Sequence, residues 1–197
     1  MFNDRSSTLS LLETRRSGRP RDLVAPGPSP DELRRIFAIA ARTPDHGKLH
    51  PWRFVHVSCE RRDAFADLLR RAYLAGNPAA GRLELDAGDR FARQAPELVV
   101  ALSTPVVPHK IPLWEQQLSC GAACMNLLVA AHAMGYAAGW VTGWAAYSPT
   151  VRESFGAAGE HDRIAAFIFI GTPGAEQEER PRPSYEDVVS DWAPESA

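Results

Sequence analysis

The chain has 197 residues, a length typical of one domain with a substantial core. Its hydrophobic content of 45%, charged content of 23% and net charge of −2 argue against a nucleic-acid or membrane surface as the main partner. The N-terminus lacks the apolar stretch of a signal peptide, no apolar run is long enough to span a bilayer, and cysteines are sparse. We therefore expect a cytoplasmic protein with free thiols.

The first half of the chain is predicted to form helices around one strand. Ser29 and Glu32 make a capping box with Pro30 at the first helical position, so a helix begins there. It should end near Thr43, because Pro44 disfavours helical geometry in the residue before it. The elements predicted for this half are helices at residues 6–16, 30–43, 60–75 and 80–95 and a strand at residues 52–58.

The second half contains the most apolar segments. Residues 112–135 are apolar almost all round, which predicts a central helix covered on most sides. Strands are predicted at residues 96–103 and 163–171, and the segment WVTGW at residues 140–144 is compatible with strand and turn. A short capped helix at SPTVRESFG precedes the last strand. Three strands separated by helices indicate an α+β or α/β fold.

A polar loop at residues 44–51 separates the second helix from the first strand. Two prolines and a glycine exclude regular structure, and two histidines, an aspartate and a lysine are more polar chemistry than a turn needs. His46 and His50 are four residues apart, but a metal site needs three or four convergent ligands, and a loop does not hold such a pair on one face. We therefore predict a binding loop and no metal.

The basic run RRSGRPR at residues 15–21 has two interpretations. Guanidinium forks and a hydroxyl group suit phosphate oxygens, whereas a basic helix end that complements the macrodipole needs no ligand. Neither GxxxxGK[ST] nor GxGxxG occurs, so those loops would not bind a nucleotide here. Cys120 and Cys124 lie four residues apart in the central helix, where we predict core packing because helical geometry does not suit a disulfide between them.

Taken in order, the motifs of the chain resemble those of one family. They are RRSGR near the start, RTPDHGKLHPW after the second helix, WEQ in the opening turn of the long helix that ends in MG, GWVTG, SPTVRESFG, and a strand ending in GTP. Their order and spacing over residues 9–188 resemble the FMN-dependent nitroreductase family. The match is closest to a small bacterial branch of NAD(P)H nitroreductases with a Pro-Asp-His loop.

The resemblance implies an α+β fold: a nitroreductase-like α/β/α sandwich with a mixed, largely antiparallel sheet and a long central helix. It implies an oxidoreductase that uses NADH or NADPH to reduce nitroaromatic, quinone or similar acceptors through bound FMN by a ping-pong mechanism, with no catalytic side chain. Two alternatives stay open: a flavin carrier or sensor with little turnover, and a different flavin reaction on the same scaffold.

The resemblance also assigns binding residues. The FMN phosphate and ribityl chain would be held by Arg15, Arg16, Ser17 and Arg19, with Arg180 or Arg182 closing on the phosphate. Arg42 and His46 would reach the flavin of the other subunit. The residues running past the isoalloxazine would be Trp140, Val141, Thr142 and Gly143. The nicotinamide cofactor would meet Ala130, Ala131, His132, Ala133, Met134 and Gly135.

The resemblance implies a homodimer that shares two FMN sites between its chains. We predict an FMN-binding domain at residues 1–171 and a C-terminal extension at residues 172–197 that wraps the partner subunit. A free tail would have little use for the apolar residues in this extension, which are Tyr185, Val188, Val189 and Trp192.

Three positions depart from the pattern of the family. His50 stands where many members have Gln, and Val141 and Thr142 stand where close relatives have Arg and Ser. The missing arginine removes a charge near the edge of the flavin ring, so these departures bear on substrate choice and flavin potential.

Overall fold

The computed structural model of the chain describes residues 2–193 and follows the predicted order of elements. The helices are α1 (Thr8–Thr14), α2 (Pro30–Ala40), α3 (Arg62–Gly76), α4 (Arg82–Ala92), α5 (Leu113–Ala133), α6 (Trp144–Tyr147), α7 (Pro149–Ser154) and α8 (Tyr185–Val188). The strands are β1 (Leu23–Val24), β2 (Trp52–Val57), β3 (Glu97–Ser103), β4 (Ala137–Val141) and β5 (Arg163–Pro173).

The five strands form a single sheet centred on β5. The same stretch of β5 pairs with β3 on one edge and β4 on the other, so the order across the sheet is β2-β3-β5-β4. The short β1 pairs with the last two residues of β5. All strand pairs within residues 2–193 are antiparallel. The predicted mixed sheet therefore has no parallel strand pair in the described part of a single chain.

Helices cover both faces of the sheet. Side chains alternate along each strand, so Leu98 and Phe167 face α3, α4, α6 and α7, whereas Val99 and Ile168 face α2 and α5. Both faces are cores of buried apolar side chains, and the predicted α+β class and α/β/α sandwich are confirmed. The central helix is confirmed as α5, in which Cys120 and Cys124 are buried free thiols.

The differences from the predicted elements have local causes. β1 is too short for a periodic pattern, and β4 opens with Ala-Ala-Gly, which has little strand propensity. The capping box of α2 is confirmed, but the helix ends at Ala40, where the carbonyl accepts from Thr43 Oγ1 at 2.9 Å. β5 continues to Pro173, two residues beyond the predicted domain boundary, because its end pairs with β1.

Candidate functional site

The basic segment, defined as residues 15–19, leaves α1 in extended form and lies directly on β4. Gly18 N donates to the carbonyl of Ala138 at 3.1 Å. A Cβ atom at Gly139 would collide with the carbonyl oxygen of Gly18. Glycine at position 139 therefore lets two backbones approach at a distance that no side chain would allow.

Hydrogen bonds hold the peptide groups of Arg16 on both sides. Its N–H donates to Asn3 Oδ1 at 2.9 Å, and its carbonyl oxygen lies 3.0 Å from His132 Nε2 and accepts from Gln177 Nε2 at 3.5 Å. Asn3 Nδ2 in turn donates to Gln177 Oε1 at 3.0 Å. The basic segment is thus fixed to the N-terminus, to the end of α5 and to the start of the C-terminal extension.

The guanidinium of Arg15 carries positive charge without compensation. Its side chain is half-buried, and its hydrogen bond runs to Ser17 Oγ at 3.3 Å. Burial lowers the pKa of Arg15, and the positive charges of Arg182 and Arg16 lower it further. Within residues 2–193 no carboxylate forms a salt bridge with Arg15. Arg182 Nη2 lies 3.4 Å from Glu179 Oε1, whereas the guanidinium of Arg15 has no such partner in the described part of the chain and is suited to bind an anion.

The first part of the C-terminal extension packs on its own chain. Residues 175–178 and the basic segment line the same small cavity. Arg16 Nε donates to the carbonyl of Glu178 at 2.8 Å, and Arg19 Nη2 lies 3.1 Å from Glu178 Oε2. Residues 180–193 are exposed, including Arg180 and Arg182. The extension therefore contacts the basic segment of its own chain, and the wrapping of a partner by residues 172–197 stays a prediction.

The residues predicted to meet the nicotinamide lie at the end of α5. Ala130, Ala131 and His132 are buried in the core, so their side chains have almost no surface to offer a ligand. Ala133 and Gly135 are exposed and Met134 is half-buried. Gly135 and His132 line a cleft of about 510 Å³ together with residues 2–6. The contact between the nicotinamide cofactor and residues 130–135 stays a prediction. The surface available for such a contact is this cleft and not the side chains of the buried alanines.

His132 is held from both sides within the core. Its Nδ1 lies 2.6 Å from the carbonyl oxygen of Leu128, and its Nε2 lies 3.0 Å from that of Arg16. Burial lowers the pKa of His132, with a smaller effect in the same direction from Arg15, whereas the two carbonyls act to raise it. The ring is therefore neutral near pH 7, and its single N–H can donate to one of the two carbonyls.

The end of β4 places the remaining predicted flavin residues. Trp140 Nε1 donates to the carbonyl of Ala165 at 3.0 Å, and Val141 packs against the core. Gly143 has a φ of 89°, which favours glycine. Thr142 and Gly143 line an apolar pocket of about 150 Å³. Its other lining residues, missed by sequence reasoning, are Leu69, Ala87, Gly88, Phe91, Trp144 and Ala145.

The Pro-Asp-His loop is anchored to the N-terminal half of α5. His46 Nδ1 lies 2.7 Å from Glu115 Oε2, and Ser119 Oγ donates to the carbonyl of Pro44 at 2.6 Å. Asp45 Oδ2 accepts from the backbone N–H of His50 at 2.7 Å, so a hydrogen bond within the loop also stabilises its conformation. Arg42 is exposed beside it.

One chain brings the predicted flavin residues together in two groups. The basic segment, β4 and Arg182 form one group, which meets α5 at His132. The Pro-Asp-His loop forms the other and meets α5 at Glu115, roughly 25 Å away at about 1.5 Å per residue. Arg42 and His46 are therefore remote from the basic segment of their own chain.

Residues 2–193 contain neither a cluster of metal ligands nor a helix that could cross a membrane. No group of three or more His, Cys, Asp or Glu side chains within residues 2–193 is placed to hold a metal ion. Over the same range, none of the helices combines the length and the apolar character needed to cross a bilayer.

Comparison with known proteins decides the family. The model of the nitroreductase family matches residues 12–172. The chain belongs to the nitroreductase family. It is therefore an oxidoreductase enzyme, as the resemblance predicted.

Two curated relatives within the family match most of the chain. One, from Haemophilus influenzae, is named "Putative NAD(P)H nitroreductase" and is 40% identical over 174 residues, which cover 87% of this chain and 91% of the relative. Another, "Putative NAD(P)H nitroreductase YdjA" from Escherichia coli K12, is 34% identical over 165 residues, which cover 84% of this chain and 87% of the relative.

Solved structures of the family share the fold at lower identity. A nitroreductase-like protein from Bacillus cereus superposes with a TM-score of 0.78 at 20% identity, covering 94% of this chain and 95% of that one. The FMN- and NADPH-dependent nitroreductase NfnB from Sphigopyxis sp. strain HMH gives 0.73 at 21% identity, covering 95% and 99%. At such identity the likeness establishes the fold.

Proposed function

We propose that this oxidoreductase binds FMN and uses NADH or NADPH to reduce nitroaromatic, quinone or similar acceptors by a ping-pong mechanism. The observation that carries the proposal is the half-buried guanidinium of Arg15, which bonds to Ser17 Oγ and forms no salt bridge within residues 2–193, beside the further guanidinium of Arg16. The names of the two curated relatives support the nicotinamide donor, and that of NfnB supports FMN. A cytoplasmic location, expected from the sparse thiols, is part of the proposal.

The residues of the chain fit an FMN molecule laid along β4. The basic segment would hold the phosphate at the Gly18 end of the strand, with Arg15 and Arg182 supplying charge and Ser17 a hydroxyl donor. The flat ring would lie toward Thr142 and Gly143, where a glycine backbone permits close approach. When bound, FMN would supply hydride acceptance from the nicotinamide and electron return to the acceptor.

The protein would contribute binding and exclusion of water rather than acid–base chemistry. The pocket beside Thr142 and Gly143 has no ionisable side chain in its lining, so it suits an uncharged, flat acceptor. Trp144 packs edge-on against Tyr73 at 4.9 Å between ring centroids, which makes one wall of the pocket aromatic. Substrate choice would follow from the shape of this wall.

A homodimer is proposed from an uncovered face of α5. Trp114, Leu118 and Met125 point to one side of the helix and are exposed. The Pro-Asp-His loop borders this face through Glu115 and Ser119. A second copy related by a two-fold axis perpendicular to α5 would cover the apolar face, and its α5 would run antiparallel to the first. The His46 end of the second copy would then lie toward the first copy's basic segment.

A spectroscopic experiment tests the proposal. The purified protein should be yellow and should release FMN rather than FAD. NADH or NADPH should bleach the bound flavin without oxygen, and a nitroaromatic or quinone should restore the colour. Initial rates should give parallel double-reciprocal lines, because donor and acceptor would use one site in turn.

The outcomes separate the alternatives. A colourless protein that takes up no FMN on titration would overturn the proposal. Flavin that binds but is not bleached would favour the carrier or sensor. Intersecting double-reciprocal lines would contradict the ping-pong mechanism while leaving flavin binding intact.

A further inference from the structure

We propose that His132 is a positioning residue for the cofactor phosphate: it donates from Nε2 to the carbonyl of Arg16 and so fixes the basic segment in its binding conformation. The inference rests on the proposed function, because it assumes that the basic segment holds a phosphate. It assigns a specific role to a buried histidine that lies far in sequence from the basic segment.

Of the two contacts that the ring of His132 makes, the one with Arg16 is long-range in sequence. The side chain is wholly buried, and both ring nitrogens face carbonyl oxygens. Leu128 lies one turn earlier in the same helix, so that contact joins α5 to itself. The contact with Arg16 joins the end of α5 to a segment 116 residues earlier in the chain.

The carbonyl of Arg16 has few other partners. Gln177 Nε2 reaches it at 3.5 Å, a weak distance for a hydrogen bond, whereas His132 Nε2 reaches it at 3.0 Å. Asn3 holds the N–H of the same residue on the other side. Without the histidine, this peptide would keep its hydrogen bond to Asn3 and lose its main contact with the core. The guanidiniums of Arg15 and Arg16 would then no longer be held in fixed relative positions.

The charges around the ring are consistent with a neutral donor. Arg15 is the charged group that acts on His132 from the end of α1, and Asp4 and Arg5 line the cleft beside it. Burial and Arg15 both lower its pKa. A neutral imidazole has one N–H, so the proposal requires that proton to be on Nε2 and leaves the 2.6 Å contact between Nδ1 and the carbonyl of Leu128 without a hydrogen.

The test compares FMN with riboflavin, which lacks the phosphate, in the wild type and two matched variants. Glutamine places an amide nitrogen where imidazole Nε2 stands, so His132→Gln can still donate to Arg16. Asparagine matches Nδ1 and cannot reach that carbonyl. Calorimetry or flavin fluorescence on the flavin-free proteins gives the preference for FMN over riboflavin in each case.

The expected result is specific to the phosphate. His132→Asn should lower the preference for FMN by roughly three- to tenfold, the effect of one neutral hydrogen bond, with riboflavin affinity unchanged. His132→Gln should stay within about twofold of the wild type, because its donor is restored. Equal preference in all three proteins, or equal weakening of both flavins, would overturn the inference. A wild type that does not distinguish FMN from riboflavin would instead overturn the proposed phosphate site.

A second measurement needs no variant. Long-range ¹H–¹⁵N correlation spectra report which imidazole nitrogen of His132 carries hydrogen in the wild-type protein. A proton on Nε2, in either the neutral or the charged ring, supports the inference. A neutral ring protonated on Nδ1 alone overturns it, since Nε2 would then have nothing to donate to Arg16.

Discussion

Arg19 Nη2 lies 3.1 Å from Glu178 Oε2, so the C-terminal extension meets the basic segment of its own chain with a carboxylate. Both side chains are largely exposed, at 57% and 79%. A phosphate on the basic segment would face this negative charge. Glu178 therefore lowers the affinity of the site for an anion, whereas the arginines around it raise that affinity.

Removing that charge should tighten flavin binding. For Glu178→Gln we expect FMN affinity to rise by up to about fivefold, because an exposed ion pair is worth at most about 1 kcal/mol. Glu160→Gln is the matched control, since it makes the same charge change at the opposite end of β5 and should have no effect. Weaker FMN binding in Glu178→Gln would mean that the pair holds Arg19 in its binding position.

Removing Arg15 should have a larger effect of the opposite sign. Charge-assisted hydrogen bonds contribute about 1.5–3 kcal/mol, so Arg15→Ala should weaken FMN binding by roughly ten- to a hundredfold. Arg21→Ala removes an exposed guanidinium outside the predicted set and serves as the control. Calorimetry that shows unchanged affinity in Arg15→Ala would reduce the basic segment to a charged helix end.

Two truncations separate the tasks of the extension. A chain ending at Gly174 keeps all of β5 and the hydrogen bond from Gly174 N to the carbonyl of Asp22 at 2.8 Å. It should lose both dimer and FMN. A chain ending at residue 183 keeps Glu178 and Arg182 but removes the exposed apolar residues, so it should lose association first. The full dimer should bury on the order of 2,000 Å² or more.

Light scattering and flavin absorbance on the same samples decide this prediction. If the chain ending at Gly174 remains a dimer with a full complement of FMN, the extension has neither task. The phosphate would then be held by the basic segment alone.

The lowered pKa of His132 predicts a stability that depends on pH. Above about pH 6.5, its ordinary value, the ring is neutral in both the folded and the unfolded chain and contributes no dependence. As pH falls below this value, His132 is protonated in the unfolded chain, whereas burial keeps it neutral in the folded chain. The free energy of unfolding therefore falls with pH. Urea unfolding of the flavin-free protein should show a smaller acid loss in His132→Gln. Parallel curves for the two proteins would contradict this.

Arg62 should matter for stability rather than for binding. It is buried, and its guanidinium donates to four backbone carbonyls around the start of β3: Val57 at 3.0 Å, Ala92 at 2.8 Å, Gln94 at 3.1 Å and Pro96 at 3.2 Å. Replacing it with Ala leaves these acceptors unpaired, so the free energy of unfolding should fall by more than about 3 kcal/mol.

The neighbouring Arg61→Ala is the control for this experiment, because that side chain is exposed. Denaturant unfolding of both variants gives the comparison. A loss below about 1 kcal/mol in Arg62→Ala would show that water replaces the guanidinium at these carbonyls.

Much of the fold could be predicted because its signals are local. The capping box at Ser29 and the all-round apolar character of residues 112–135 each depend on neighbouring residues, and both were confirmed. β4 was predicted only in part, since Ala137–Gly139 become a strand through pairing with β5 and not through propensity.

The candidate site was less accessible to sequence reasoning because its contacts are long-range. The basic segment was found from its charge, yet nothing near Arg16 indicates that Asn3, His132 and Gln177 converge on its peptide groups. Phe91 lies in a helix that reads as polar surface, and only the packing of α3 and α4 turns it toward the pocket.

The contact between Gly18 and Gly139 has a consequence for engineering. Any side chain at position 139 would push the basic segment off β4, so a library that randomises the site should recover glycine there under every selection that requires a flavin. Diversity would survive instead at Thr142 and Trp144, whose side chains border open space. New acceptor specificities should therefore be sought by varying the wall of the pocket while the backbone junction is left untouched.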